Sequence, residues 1–223
     1  MGKAELISNI EVKSLGPLKG PCCVRPGAPI KGTFFLGGAG LNGTYISKII
    51  KEFHKAGIKS AVYLDSKKWS SGQLIDASIN ILFSRNYDPH FPMLLRLHNN
   101  SYKQFNLIGY SYGSLIAAQL AIKYAVKGSK VDHLVLIASP ISRELLTRLH
   151  NVANIQNIII INLNHQGDPI YAGISKFELA ANLLNLYDQM QDSIGHFYYA
   201  KKGTLGDKRR KLLADYLYQA GLK

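Results

Sequence analysis

Hydrophobic residues along this chain fall into two patterns. Short, nearly continuous apolar runs bounded by turn residues occupy 31–36, 60–64, 105–108, 131–138 and 157–163, the last of them holding four consecutive isoleucines, Ile158, Ile159, Ile160 and Ile161. Runs of this length, rich in β-branched and aromatic residues, predict strands buried on both faces. Between them, apolar residues recur at helical spacing. The segment 44–56 places Ile46, Ile49, Ile50 and Phe53 on one face, 75–83 does the same with Ile75, Ile79, Leu82 and Phe83, and 176–192 with Phe177, Leu179, Leu183, Leu184, Leu186 and Tyr187. Helices are also predicted over 93–98, 114–125, 144–149 and 208–220. Buried strands alternating with helices call for an α/β fold, a mostly parallel central sheet with helices on both faces. Before the first strong strand, Ile10, Val12 and Leu15 supply a peripheral strand within 6–15, and 16–29 is a loop rich in Gly and Pro. With no repeat, low-complexity stretch or linker, residues 1–223 form one domain, an N-terminal extension (1–29) followed by a core (30–223).

One junction in this pattern carries chemistry. The strand from Phe105 runs into Gly109-Tyr110-Ser111-Tyr112-Gly113, and the helix follows at once. A serine at the apex of so sharp a turn sits in a strained backbone conformation, and close neighbours leave little room for a β-carbon, which accounts for a glycine two residues to either side. Its hydroxyl then lies at a helix N-terminus, which favours developing negative charge. A second glycine-rich junction, Gly37-Gly38-Ala39-Gly40, follows the 31–36 strand. A phosphate-cradling loop would look similar, but no Gly-Lys-Ser/Thr sequence closes it and no acidic residue stands where a dinucleotide site needs one.

Three segments together give the chain a resemblance: Phe34-Phe35-Leu36-Gly37-Gly38-Ala39-Gly40, Gly109-Tyr110-Ser111-Tyr112-Gly113, and Gly167-Asp168-Pro169-Ile170 with Gly195-His196-Phe197-Tyr198 downstream. From 31 to 196 the sequence resembles the α/β-hydrolases, and within them the compact, lidless lipases and cutinase-like esterases. The disulfides that cutinases carry around the acid have no counterpart here. The small, basic plan is also similar to that of bacterial lipase effectors. The resemblance implies an α/β-hydrolase fold and a serine esterase or lipase, phospholipases included.

A serine hydroxyl is a poor nucleophile at neutral pH; it needs a base within hydrogen-bond reach and a carboxylate to orient that base. In this architecture the chain order is serine, acid, histidine. Asp168, in the loop after the isoleucine strand, is the expected acid, ahead of Asp188 and Asp192 on the long helix. His196, in a Gly-led loop, is the expected base, ahead of His54, His90, His98, His133 and His150; its nearest rival, His165, stands three residues from Asp168, too close for a good hydrogen bond between them. For the oxyanion hole, one N–H is expected from Tyr112 and the other from Gly38 or Ala39. The same residues would serve an acyl thioesterase or an acyltransferase, and a hydrolase-fold binding module is the non-catalytic alternative.

Composition changes this picture in one respect. Lys and Arg number 27 against 14 Asp and Glu, a formal net charge of +13, which predicts attraction to anionic surfaces. The basic residues Lys201, Lys202, Lys208, Arg209, Arg210 and Lys211 precede Leu212, Leu213, Tyr216, Leu217 and Tyr218, the apolar face of the last helix. Either that face packs on the sheet with the cations solvated, or the helix meets anionic lipid. No nucleic-acid recognition motif is present. The two cysteines, Cys22 and Cys23, are adjacent, which implies neither a disulfide framework nor a metal site. The expected partners are an acyl ester and, secondarily, an anionic lipid surface, with no cofactor, no metal and no nucleic acid. Without a membrane-length apolar stretch or a signal-peptide core, the chain is expected to be soluble and cytoplasmic, export by a signal-less route remaining open.

Overall fold

A computed structural model of the chain describes residues 10–14, 30–38, 44–64, 101–182, 189 and 194–223. The expected helices at 75–83 and 93–98, together with Cys22, Cys23, Ala39, His90, His98, Asp188 and Asp192, lie outside these residues.

In chain order the elements are β1 (Ile10–Ser14), β2 (Gly32–Leu36), α1 (Tyr45–Ala56), β3 (Ala61–Leu64), β4 (Phe105–Tyr110), α2 (Tyr112–Val126), β5 (Val131–Ile137), α3 (Arg143–His150) and β6 (Ile155–Ile161). Helix α4 (176–182), a 3-10 segment (Gly195–Ala200) and α5 (Gly203–Gln219) complete the chain. The strands form one six-stranded sheet in the order β1-β6-β5-β4-β2-β3. Every neighbouring pair is parallel except β1 with β6, where Val12 lies opposite Ile159.

The order decides which helix lies on which face. From β2 the chain steps outward to β3 through α1, whereas from β4 it steps the other way, to β5 and then β6, through α2 and α3. Right-handed crossovers in opposite directions put α1 on one face and α2 and α3 on the other. Helix α5 packs along α1 and shares its face. The reversal falls between β4 and β2, and in open α/β sheets the crevice at such a reversal, at the carboxyl ends of the strands, is where ligands bind.

Local sequence explains the elements. α1 buries Ile46, Ile49 and Phe53, with the Phe53 ring edge-on to Phe35 at 5.9 Å. It stops at Gly57, whose φ of 113° is costly for any side chain. α2 is buried from Tyr112 to Ala125 and mostly apolar, Ser114, Gln119 and Lys123 being its buried polar side chains, as suits a helix between sheet and neighbours. α3 starts at Ser142, whose Oγ accepts the Leu145 N–H at 3.1 Å. α4 starts with a reciprocal capping box: Ser175 Oγ accepts the Glu178 N–H, and Glu178 Oε2 accepts the Ser175 N–H.

Two expectations change. Phe177, assigned to the buried side of its helix, is 88% exposed in the first turn of α4, while Leu179 takes the core position. The last helix begins at Gly203, ahead of the expected 208, and its cations are not all solvated. Arg210 is fully buried, donating from Nη1 to the carbonyls of Tyr199 and Lys201 at 2.7 and 2.8 Å and from Nη2 to Asp207 Oδ1 at 2.6 Å. Gly203 and Gly206 mute the helical signal, yet Gly206 is required: a β-carbon there would sit 1.8 Å from the Lys201 carbonyl oxygen. The apolar face of the helix does pack inward, through Leu213 and Leu217.

Candidate active site

β4 and α2 meet at Ser111 with no intervening residue, and the backbone is bent hard to allow it. Ser111 has φ 56° and ψ −128°, a region that side chains avoid, and its N–H is held by the Ile137 carbonyl of β5 at 2.9 Å. Both flanking glycines are sterically obligatory. A β-carbon on Gly109 would lie 2.3 Å from the Ser114 Cα, and one on Gly113 would lie 2.3 and 2.4 Å from the carbonyl oxygens of Leu36 and Gly37. The serine turn is thus pressed against the end of β2, where the glycine-rich loop begins. Ser114 braces it from inside the helix, giving its hydroxyl hydrogen to the Ser111 carbonyl and accepting from Ser139 Oγ.

Asp168 follows β6 through a 3-10 turn, Asn164–Gln166, that ends at Gly167 with φ 87°. Its side chain is fully buried and both oxygens are used: Oδ1 accepts the Ile170 N–H at 2.8 Å, and Oδ2 faces His196 Nδ1 at 2.9 Å. A carboxylate can only accept, so Nδ1 carries the proton and Nε2 presents its lone pair. That nitrogen lies 2.6 Å from Ser111 Oγ. His196 is itself 3% exposed, whereas Ser111 is half-buried and can be reached from solvent.

Ser111, Asp168 and His196 are therefore brought into one hydrogen-bonded chain. Tyr112 opens α2 beside the serine, and Gly38 is buried at the carboxyl end of β2; Ala39 lies outside the described residues. The rival histidines are elsewhere. His165 is exposed, His54 pairs with the Ala61 carbonyl, His150 ends α3, and His133 is buried at the opposite end of the sheet.

Several supporting groups escaped the sequence reading. The Tyr110 hydroxyl donates to the His196 carbonyl, and its ring stacks on the imidazole at 6.1 Å between centroids. Burial holds the Tyr110 phenol well above its ordinary pKa, so it remains a donor throughout the neutral range. Arg209 gives a hydrogen bond to the Tyr198 carbonyl at 3.0 Å, so it and Arg210 together tie α5 to the segment carrying His196. Arginines in a basic helix signal solvated charge; only the short stretch between His196 and α5 hints that their targets are close. Among the described residues no cluster of His, Cys, Asp and Glu could hold a metal ion, and no helix is long and apolar enough to cross a membrane.

Compared with known proteins, the chain matches a family model described as alpha/beta hydrolase fold over residues 96–193, a span from before β4 to beyond Asp168. The chain has the α/β-hydrolase fold. No curated protein matches it. A crystal structure of a "putative carboxylesterase" from Lactobacillus plantarum WCFS1 aligns at 12% identity over 96% of this chain and 98% of that one, but its TM-score of 0.34 carries no argument.

Proposed function

We propose that this protein is a serine ester hydrolase with Ser111 as nucleophile, His196 as general base and acid, and Asp168 as the group that orients the base. The observation that carries the reading is the unbroken chain from Ser111 Oγ through the imidazole to a fully buried carboxylate. As Oγ attacks an acyl carbonyl, its proton passes to His196 Nε2, and the Asp168 carboxylate stabilises the imidazolium. The oxyanion of the tetrahedral intermediate is met by the backbone N–H groups of Tyr112 and of Gly38 or Ala39. Collapse sends the His196 proton to the leaving alcohol and leaves an acyl group on Ser111. Water, activated by the same nitrogen, then releases the acid.

The test is hydrolysis of p-nitrophenyl esters of increasing chain length by the wild type and Ser111→Ala. The proposal predicts turnover by the wild type and a loss on the order of 10⁴-fold or more in the variant. Equal rates from the two proteins would contradict it.

A further inference from the structure

Asp168 and His196 arrive from separate loops 28 residues apart, and the only direct link between their side chains is the Nδ1–Oδ2 hydrogen bond. A third side chain ties both loops. Gln189, a helical residue ahead of the His196 segment, donates from Nε2 to the carbonyl of Gly167, the residue before the acid, at 2.9 Å. Its Oε1 accepts the backbone N–H of His196, also at 2.9 Å. The two contacts fix the orientation of the amide, since only its amino group can give to a carbonyl and only its oxygen can take from an N–H. The backbone makes room for it: a β-carbon on Gly195 would lie 2.3 Å from Gln189 Oε1, and Gly195 holds φ 49°.

The Tyr110 hydroxyl grips the carbonyl of His196 and the arginines of α5 grip residues beyond it, but each of these reaches the base loop alone. Gln189 spans the gap between base and acid with one rigid planar group, and a misplacement of about 1 Å at such a site costs on the order of 100-fold in rate. We propose that Gln189 is a positioning residue that sets the spacing of the acid and base loops, keeping His196 Nδ1–H on Asp168 Oδ2 and so Nε2 on Ser111. The catalytic consequence rests on the triad reading above; the spacing role does not.

Two variants test it. Gln189→Met preserves length and packing and removes both hydrogen bonds. Gln189→Glu keeps an acceptor for the His196 N–H and turns a carboxylate toward the Gly167 carbonyl. With folding checked by thermal denaturation, Gln189→Met is expected to lose roughly 10- to 100-fold in kcat on a soluble ester at nearly constant KM. Gln189→Glu should move the acid limb of the pH–rate profile to higher pH, because a nearby negative charge favours the imidazolium. The downfield proton resonance of His196 Nδ1, which requires no turnover, should be sharp in the wild type and broadened or lost in Gln189→Met. A folded Gln189→Met with wild-type kcat and an unchanged resonance would overturn the proposal. If Gln189→Met does not fold, an unshifted acid limb and an unchanged resonance in Gln189→Glu overturn it equally. If the wild type neither turns over nor takes a covalent fluorophosphonate label at Ser111, the hydrolase reading fails, and the resonance comparison still decides the role of Gln189.

Discussion

Two buried histidines stand at opposite ends of the same sheet, and only one of the two pairs with a carboxylate. His133, 6% exposed, donates from Nδ1 to Asn106 Oδ1 at 2.9 Å; the orientation of that amide is set by its Nδ2, which gives to Thr33 Oγ1 and Gln104 Oε1. His196, 3% exposed, donates to a carboxylate and faces a serine hydroxyl. An amide partner fixes a tautomer but cannot balance an imidazolium, and burial accordingly pushes the His133 pKa down from its ordinary 6.5 although Asp132 opposes the shift. A carboxylate partner both fixes the tautomer and stabilises the charge that appears during reaction. Burial of a histidine therefore says little about its role; the ionisation of its partner and the group on its other nitrogen say most.

The largest effect that separates the two ends is expected from Asp168→Asn. It makes the acid end resemble the His133 end, with an amide facing imidazole, and should lower turnover by about 10⁴-fold with the fold retained. Steady-state kinetics beside a melting curve checks this. More than about a tenth of the activity surviving would remove Asp168 from the acid role.

Next in size is Gly113→Ala. Its β-carbon would meet the Leu36 and Gly37 carbonyls, contacts that backbone alone must relieve, so a stability loss of about 1–3 kcal/mol is expected, with activity falling further because Ser111 moves. Denaturant titration and ester hydrolysis measure the two separately.

His133→Gln keeps a donor toward Asn106 and removes the titration. Because the folded-state pKa of His133 is depressed, the unfolded chain takes up this proton first as pH falls, so stability is full above about 6.5 and is lost as pH drops from there toward the folded value. The variant should lose that part of the acid sensitivity in a series of melting curves. Its hydrolysis rate should stay within about twofold of wild type, the behaviour expected of a variant far from the reacting atoms. A large loss of activity with the fold intact would end the contrast between the two histidines.

The smallest effect concerns surface charge. Lys208 and Lys211 are exposed, Lys211 paired with Asp215 at 2.6 Å, whereas Arg210 is buried and Arg209 is engaged with the Tyr198 carbonyl. Reversing all four cations would leave a charge stranded in the core, so only the two lysines are suitable. If the basic excess serves an anionic lipid surface, replacing both with Glu should weaken vesicle binding by roughly fivefold per cation, and added salt should erase the difference. Hydrolysis of a soluble ester should not change.

What could be read from the sequence follows from which interactions are local. Continuous apolar runs specify strands buried on both faces, so β2, β4, β5 and β6 are legible, and glycines at 109 and 113 mark a turn because backbone contact excludes a β-carbon there. Ser111 stands out at the apex of a strand-to-helix turn, Asp168 in the loop after a strand, and His196 in a Gly-led segment downstream of both. The groups that hold them do not. Tyr110 reads as a neighbour of the serine in its turn, Arg210 as a solvated cation and Gln189 as one polar residue on a long helix, because each acts on a backbone group brought near only by folding. The early start of α5 is hidden by Gly203, which holds φ 73°, and Gly206, where the Lys201 carbonyl leaves no room for a β-carbon.

The central claim is that Ser111 is a nucleophile activated by His196. It is tested most directly by a fluorophosphonate probe, with the modified residue located by peptide mass spectrometry. The account predicts one covalent adduct, on Ser111, formed by wild-type protein and His133→Gln at similar rates and almost abolished in His196→Ala. A folded wild type that takes no label across neutral pH, or one labelled equally well after His196→Ala, would contradict it.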